Sequence, residues 1–539
     1  MFVRFLKTSA VLLFATTTAQ AVNQADLNST TGDTSRSYLG RGRHVLIGVL
    51  DGGIDANHPA LRGSVIYSRD FSGSGTTDDD RTDAGHATGL ASLYVGHGSG
   101  FTGLVPKAGI INARVITSSD FTNDRMAGNG LFYSLNRGAK VINMSFGNKL
   151  GDGPMTDKFN LMVDYAAEAY GASMVSAAGN DDDTAVNQVP AGAYNGYSIG
   201  SLESGRFNQV SSFSNFAITS DKRTKPDLVA PGESVQRAAA NWENSSTYVS
   251  GSGTSFSTPI VGGVLAQMIG YGQDHNLPTD PRLIKAIALT GATQVYDNAG
   301  DPWEARHQVA DRKGRITVDE PLDPEQGAGR IDGMGAYRIY SKTRDATNAV
   351  SNWAFTSLKR LRSFTMNLGH LSAGQRIDTT LTWMRHIGRT DDGDRTPGAT
   401  DKYFQIAPIA DFIVTLMKDG RSIAASDSNY DNLEQLSYKL TASGNYTLEV
   451  FRYEEGGIKN ETFALAARVL NNPPTLRELG VSRALAASDT GGVSRSFEEA
   501  AALDAAAVPE PTTGFVLLAI GATTCLGRSR RRRFTLTHV

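Results

Sequence analysis

Between about residues 40 and 340, short apolar runs alternate with stretches spaced as helices, and that order admits few folds. "HVLIGVLD", "GIINARVI", "KVINMSFG", "ASMVSAAGN" and "GYSIGSLES" read as strands, whereas "HATGLASLYVG", "GNGLFYSLNRGA" and "KFNLMVDYAAEAYG" read as helices. Strands apolar on both faces belong in a parallel sheet covered on both sides, since a half-solvated sheet would alternate. The expected fold class is α/β, a mostly parallel sheet with helices on both faces. In such a fold, polar and reactive groups gather at the C-terminal ends of the strands.

After Tyr340 the texture changes. "FTMNLG", "RIDTTLTWM", "DFIVTLMKDG", "QLSYKLTASGNYTLEVFRY" and "ETFALAARVL" alternate apolar and polar residues between Gly, Asn and Asp turns. This pattern predicts an all-β sandwich over about 345–470. Residues 472–507, dominated by Ala, Ser and Glu, read as a linker or a marginal helix.

A chain of 539 residues that is 40% hydrophobic and 20% charged is no disordered polymer. Its 52 basic and 55 acidic residues leave a formal charge of -3, which gives no footprint for nucleic acid or an anionic membrane surface. The only cysteine, Cys525, excludes an intrachain disulfide and a cysteine-based zinc site.

The two ends carry the signals for location. Residues 1–21 combine Arg4 and Lys7, a short apolar core and Ala19-Gln20-Ala21, the order of a cleavable secretory signal; a buried helix is the plainer alternative. Over 508–533, Val508-Pro509-Glu510-Pro511 precedes an apolar run, Gly514 to Leu526, and then Arg528 and Arg530 to Arg533. The run is shorter than the roughly 20 residues of a permanent span, and the arginines favour the cytoplasmic side. This tripartite order resembles the PEP-CTERM sorting tail of some Gram-negative bacteria. The resemblance implies transient inner-membrane anchoring, recognition by an exosortase, and a final location at the cell surface or outside the cell; a plain tail anchor is the rival reading.

Four residues stand out for their chemistry. Asp51 ends the apolar strand of "GVLDGGID", where a carboxylate can orient a histidine or merely cap a turn. His86 in "DAGHATG" stands at a helix start, where the dipole helps keep an imidazole neutral, although a solvated histidine is the commoner case. Asn180 ends "MVSAAGN" and has an amide N–H₂ to offer an oxyanion; a turn asparagine would look the same. In "SGSGTSFSTPIVGG" an apolar helix follows the glycines, and Pro259 fits only near its first turn, so the helix begins near Ser255. Ser255 then occupies a helix N-terminus, which favours developing negative charge.

Taken together, "VLDGGID", "GHATG", "SAAGN" and "GTSFSTP" resemble the subtilisin family of serine proteases, as do "KVINMSFG", "KPDLVAPG" and "QGAGRID". The resemblance covers about residues 40–342. It implies an Asp51-His86-Ser255 triad, with Asn180 and the Ser255 N–H as the oxyanion hole, hydrolysing protein or peptide substrates through an acyl-enzyme. It also implies that Ser145, Phe146 and Gly147 face Ala177, Ala178 and Gly179 across the first specificity pocket. Extended substrate is expected along Ser99 to Thr102 and Ser145 to Gly147. Asp181 to Asp183 beside the pocket wall leave three readings open: attraction of basic groups, a solvated acidic loop, or a structural calcium contact. No cofactor is required for the chemistry.

The pattern departs from the family in two places. Ala87 follows the histidine where glycine is common, and residues 22–39 are too few for the usual N-terminal chaperone domain. Folding of the catalytic region without such a domain is the expectation. A binding or adhesion protein on a protease-like scaffold is the alternative function, set against a complete catalytic set.

Overall fold

The computed structural model describes residues 33–78, 85–98, 101–149, 157–181, 188–204, 209–240, 242–243, 247–295, 309–310, 316–318, 320–345 and 348–471. The proposed signal, the 472–507 segment and the 508–533 tail lie outside the described residues.

Strands β1 (Leu46–Asp51), β2 (Val65–Asp70), β3 (Gly109–Arg114), β4 (Ala139–Met144), β5 (Ser173–Ala177), β6 (Tyr197–Leu202) and β7 (Leu228–Pro231) form one sheet. Its order is β7-β6-β5-β4-β1-β3-β2, and its pairings are parallel. The period of two is plain in β1. Ile47 and Val49 enter one core with residues of α2 (His86–Val95), α5 (Thr254–Asp274), α6 (Pro281–Gly291) and α7 (Gly333–Tyr340). Leu50 enters the other, with α3 (Asp124–Asn136) and α4 (Lys158–Tyr170). A short α1 (Asp33–Tyr38) lays Tyr38 against Tyr337 of α7, ring centres 5.0 Å apart.

The five apolar runs mark β1, β3, β4, β5 and β6, and two helical stretches mark α2 and α4; α3 begins at Asp124, four residues ahead of the stretch read as a helix, and ends at Asn136. Two strands of the sheet escape such a reading. Edge strand β2 is largely exposed and so has no apolar run, and β7 has only four residues, ending at Pro231. Helices α2 and α5 bury nearly their whole surface, so their apolar residues form no stripe.

A hairpin, β8 (Val235–Ala238) with β9 (Tyr248–Gly251), lies beside α2: Ala238 N donates to Ser92 Oγ at 3.0 Å. Besides two short ladders, Asn148–Lys149 with Gln188–Val189 and Ala217–Ile218 with Thr224–Lys225, the remaining strands are β10 (Val309–Ala310), β11 (Ile316–Val318), β12 (Asn348–Lys359), β13 (Arg362–Leu371), β14 (Arg376–Trp383), β15 (Ile387–Thr390), β16 (Lys402–Gln405), β17 (Phe412–Lys418), β18 (Arg421–Ser426), β19 (Leu433–Lys439), β20 (Gly444–Arg452) and β21 (Asn460–Leu470). Sheets β10-β11-β18-β17-β20-β13 and β12-β21-β14-β19 enclose a core that includes Trp383, Phe412, Val450 and Phe463. This is a β-sandwich, antiparallel except where β11 runs parallel to β18. Strands β10 and β11 come from within the stretch 40–342, so the first half of the chain lends strands to the sandwich.

The two halves share a buried polar seam. Arg385 Nη1 meets Asp164 Oδ2 of α4 at 3.1 Å, while Asn195 accepts from Arg385 N and donates to Arg385 O, both at 2.8 Å. Burial raises the pKa of Asp164, and the Arg385 guanidinium opposes that rise. His386 Nδ1 lies 2.9 Å from Glu168 of α4 and its Nε2 2.7 Å from Glu461 of β21. Burial disfavours the imidazolium, but hydrogen bonds to both carboxylates prevail and lift the pKa to about 9.

Candidate active site

Asp51 and His86 come together where the sheet's C-terminal edge meets the start of α2. Asp51 is the last residue of β1, is 3% exposed, and accepts from Gly52 N at 2.8 Å. His86 opens α2 directly after Gly85, whose φ of 79° favours a residue without a side chain. His86 Nδ1 lies 3.1 and 3.2 Å from the two Asp51 carboxylate oxygens. A carboxylate only accepts, so Nδ1 carries a hydrogen, and in the neutral ring Nε2 has the lone pair.

Ser255 is the second residue of α5, close to the expected start, but Pro259 is the sixth and so lies inside the helix rather than in its first turn. Pro259 has no N–H to give the Ser255 carbonyl four residues earlier. Ser145 supplies the missing donor: its Oγ donates to Ser255 O at 2.9 Å, while Ser255 Oγ donates to Ser145 O at 3.1 Å. Behind Ser145, Asn143 Nδ2 donates to its Oγ at 2.9 Å, and Tyr94 OH donates to Asn143 Oδ1 at 3.0 Å. Burial holds the Tyr94 pKa well above the usual range, so this hydroxyl remains a donor. The chain of bonds links α2, which carries His86, through β4 to α5, which carries Ser255.

Asn180 is oriented by its neighbour across the cleft. Its Oδ1 accepts from Thr254 N at 2.7 Å and from Thr254 Oγ1 at 2.9 Å. With the amide oxygen so engaged, the N–H₂ end is directed elsewhere. Gly179 N donates to the same Thr254 Oγ1 at 3.2 Å, and buried Asn215 grips the turn through Gly179 O and Asp181 N. Asp181 Oδ2 accepts from Asn215 Nδ2, which gives this acid a part in the turn; Asp182 and Asp183 lie outside the described residues.

Of the expected pocket walls, Ala177, the last residue of β5, and Ala178 after it are buried and small. Phe146 is half-buried with its ring 6.3 Å from Phe159, and Gly147 is exposed. Ser145 is only 5% exposed, with its hydroxyl turned to α5 rather than to the cleft. Of the expected substrate edge near Ser99 to Thr102, only Phe101 and Thr102 are described, and Phe101 stacks on Tyr248 of β9 at 5.0 Å.

Several supporting residues were invisible to motif reading. Thr254 was adjacent to the serine and open to suspicion, because a hydroxyl beside a helix N-terminus commonly serves the backbone. Tyr94, Asn143 and Asn215 had no local signal; Tyr94 meets Asn143 across 49 positions and Asn215 meets Asp181 across 34, and only the fold brings them together. Among the described residues, the acidic groups that cluster are Asp391, Asp392 and Asp394, in an exposed sandwich loop where backbone N–H groups occupy their oxygens.

Known proteins share this arrangement of sequence. The sequence pattern of the Subtilase family matches residues 42–329, more than half of the chain. Thermitase of Thermoactinomyces vulgaris is 32% identical over 236 residues, which is 44% of this chain and 78% of thermitase. An intracellular serine protease of Paenibacillus polymyxa is 31% identical over 259 residues, covering 45% of this chain and 72% of that protein. Among solved structures, a cold adapted subtilisin-like serine proteinase is 28% identical, covering 49% of this chain and 88% of its own, with a TM-score of 0.39. Residues 42–329 carry the motifs around Asp51, His86, Asn180 and Ser255, and this protein belongs to the subtilase family of serine proteases.

Proposed function

We propose that this protein is an exported serine endopeptidase whose nucleophile is Ser255, with His86 as general base and Asp51 as its orienting carboxylate. The observation that carries the reading is the 3.1 Å approach of His86 Nδ1 to Asp51, which leaves Nε2 as the basic nitrogen. For reaction, the Ser255 hydroxyl leaves Ser145 O by rotation about its Cα–Cβ bond and passes its proton to Nε2 as Oγ attacks the peptide carbonyl. The resulting imidazolium, stabilised by Asp51, then protonates the leaving amine, and water repeats the sequence on the acyl-enzyme.

The oxyanion falls to the Asn180 amide and the Ser255 backbone N–H, a pairing supported by the hold of Thr254 on Asn180 Oδ1. Small Ala177 and Ala178 opposite Phe146 suit a large apolar side chain before the cut. Residues 1–21 would direct export. The 508–533 tail would give transient inner-membrane anchoring and recognition by an exosortase, leaving the enzyme at the surface or outside a Gram-negative cell.

Labelling with a fluorophosphonate probe tests the assignment. The wild-type protein should react and Ser255→Ala should not, whereas an unreactive wild type would leave an adhesion protein on this scaffold as the reading. N-terminal sequencing of the mature protein in culture medium tests export, with a start after Ala21 expected and an intact Met1 against it.

A further inference from the structure

Arg237 of β8 is an unusual occupant of the site's surroundings: an arginine only 4% exposed, in contact with the N-terminal ends of the two helices that carry His86 and Ser255. Its Nη1 donates to Gly85 O at 3.2 Å, and Gly85 immediately precedes His86. Its Cζ lies 4.8 Å from the centre of the Phe256 ring, and Phe256 immediately follows Ser255. That ring is in turn 5.6 Å from the His86 imidazole, tilted by 53°. One planar cation thus touches the residue next to the base and the residue next to the nucleophile.

The surroundings are shaped to admit it. A Cβ on Gly89, one turn into α2, would stand 2.5 Å from Arg237 Cδ, and a Cβ on Gly251 of β9 would stand 2.9 Å from Nε. Both positions therefore exclude a side chain where the arginine passes. The hairpin is also fastened to α2 through Ala238 N and Ser92 Oγ, so the guanidinium is carried on a braced element. A buried charge is costly to desolvate, and a guanidinium offset by a carbonyl and an aromatic face is held where it is rather than free to wander.

We propose that Arg237 is a positioning residue that sets the alignment of His86 with Ser255 by gripping Gly85 and Phe256 together. It touches neither substrate nor the reacting atoms. The inference rests on the reading of His86 and Ser255 as base and nucleophile. A lateral error of about 1 Å between such groups lowers turnover by up to roughly a hundredfold. Substrate binding, which uses other walls of the cleft, is untouched.

The test is steady-state kinetics of the full-length protein on a quenched-fluorescent peptide that the wild type cleaves, with thermal unfolding alongside. Arg237→Met should lower kcat about ten- to a hundredfold with KM within about twofold of wild type, the pattern of lost alignment rather than lost binding. Arg237→Lys keeps the charge but not the planar fork, and should lower kcat about three- to tenfold at the same KM. Wild-type kcat in either folded variant, or a rise in KM that accounts for the whole loss, overturns the proposal. If Arg237→Met fails to fold, Arg237→Lys decides alone by the same criteria. Ser255→Ala separates the two claims: if it retains wild-type turnover, the catalytic reading has failed. If it is inactive while the Arg237 variants are normal, only the positioning role has.

Discussion

Ser145 and Ser255 are hydrogen-bonded in both directions, each hydroxyl donating to the other's carbonyl, at 2.9 and 3.1 Å. The reciprocity originates in Pro259, which withholds the helical donor from Ser255 O. Ser145→Ala should therefore strand a carbonyl at the head of α5 and cost about 1–3 kcal/mol in urea unfolding. Adding Pro259→Ala, which restores an N–H four residues on, should return part of that loss. A double variant no more stable than Ser145→Ala would count against this origin.

If Asn180 serves the oxyanion as proposed, Asn180→Ala should lower kcat about 10²–10³-fold with little change in KM. Thr254→Val removes the hydroxyl shared by Asn180 Oδ1 and Gly179 N while retaining the backbone contact. A smaller loss, about tenfold in kcat, is expected, read on the same peptide substrate. Equal losses in the two variants would mean that Thr254 alone orients the amide.

Arg385→Ala should be among the most destabilising single changes in the protein. It leaves Asp164, fully buried beneath the sandwich, without its guanidinium, and an uncompensated buried charge costs about 3–5 kcal/mol. The denaturation midpoint should fall accordingly. Asp164→Asn in the same background should recover part of the difference by removing the charge.

His386 gives the seam a pH dependence. Its folded pKa of about 9 lies above the ordinary 6.5, so its contribution, about 3 kcal/mol, is fully present below pH 6.5. That contribution is lost as pH rises through 9. Wild type and His386→Gln, compared by thermal unfolding from pH 6 to 10, should differ most at the acid end and converge at the alkaline end. A constant difference across the range would show that the imidazole is not held charged between Glu168 and Glu461.

Much of the first half was legible because its strands are continuous apolar runs and because the four candidate residues stand at breaks in those runs. Asp51, His86, Asn180 and Ser255 each sit at a strand or helix end, where a local pattern marks them. Exposed β2 and four-residue β7 lack the run, and strands β10 and β11 lie amid polar sequence, so none of these four was visible. The supporting residues were hidden for another reason. Arg237 meets Gly85 across 152 positions and Asn195 meets Arg385 across 190, and no spacing rule reaches so far. Their polar character gives no local sign that they are buried.

The pairing of Ile316–Val318 with Ala424–Ser426 has a consequence for how such a protein could have been assembled. A gene break near position 343, where the texture of the chain changes, would deliver a sandwich lacking two strands and a protease trailing them. Recombination by simple end-to-end joining would thus yield two damaged partners. To keep the six-stranded sheet whole, any exchange of the sandwich would have to carry Val309–Ala310 and Ile316–Val318 with it, which makes it an outgrowth of this chain's first half rather than a detachable attachment.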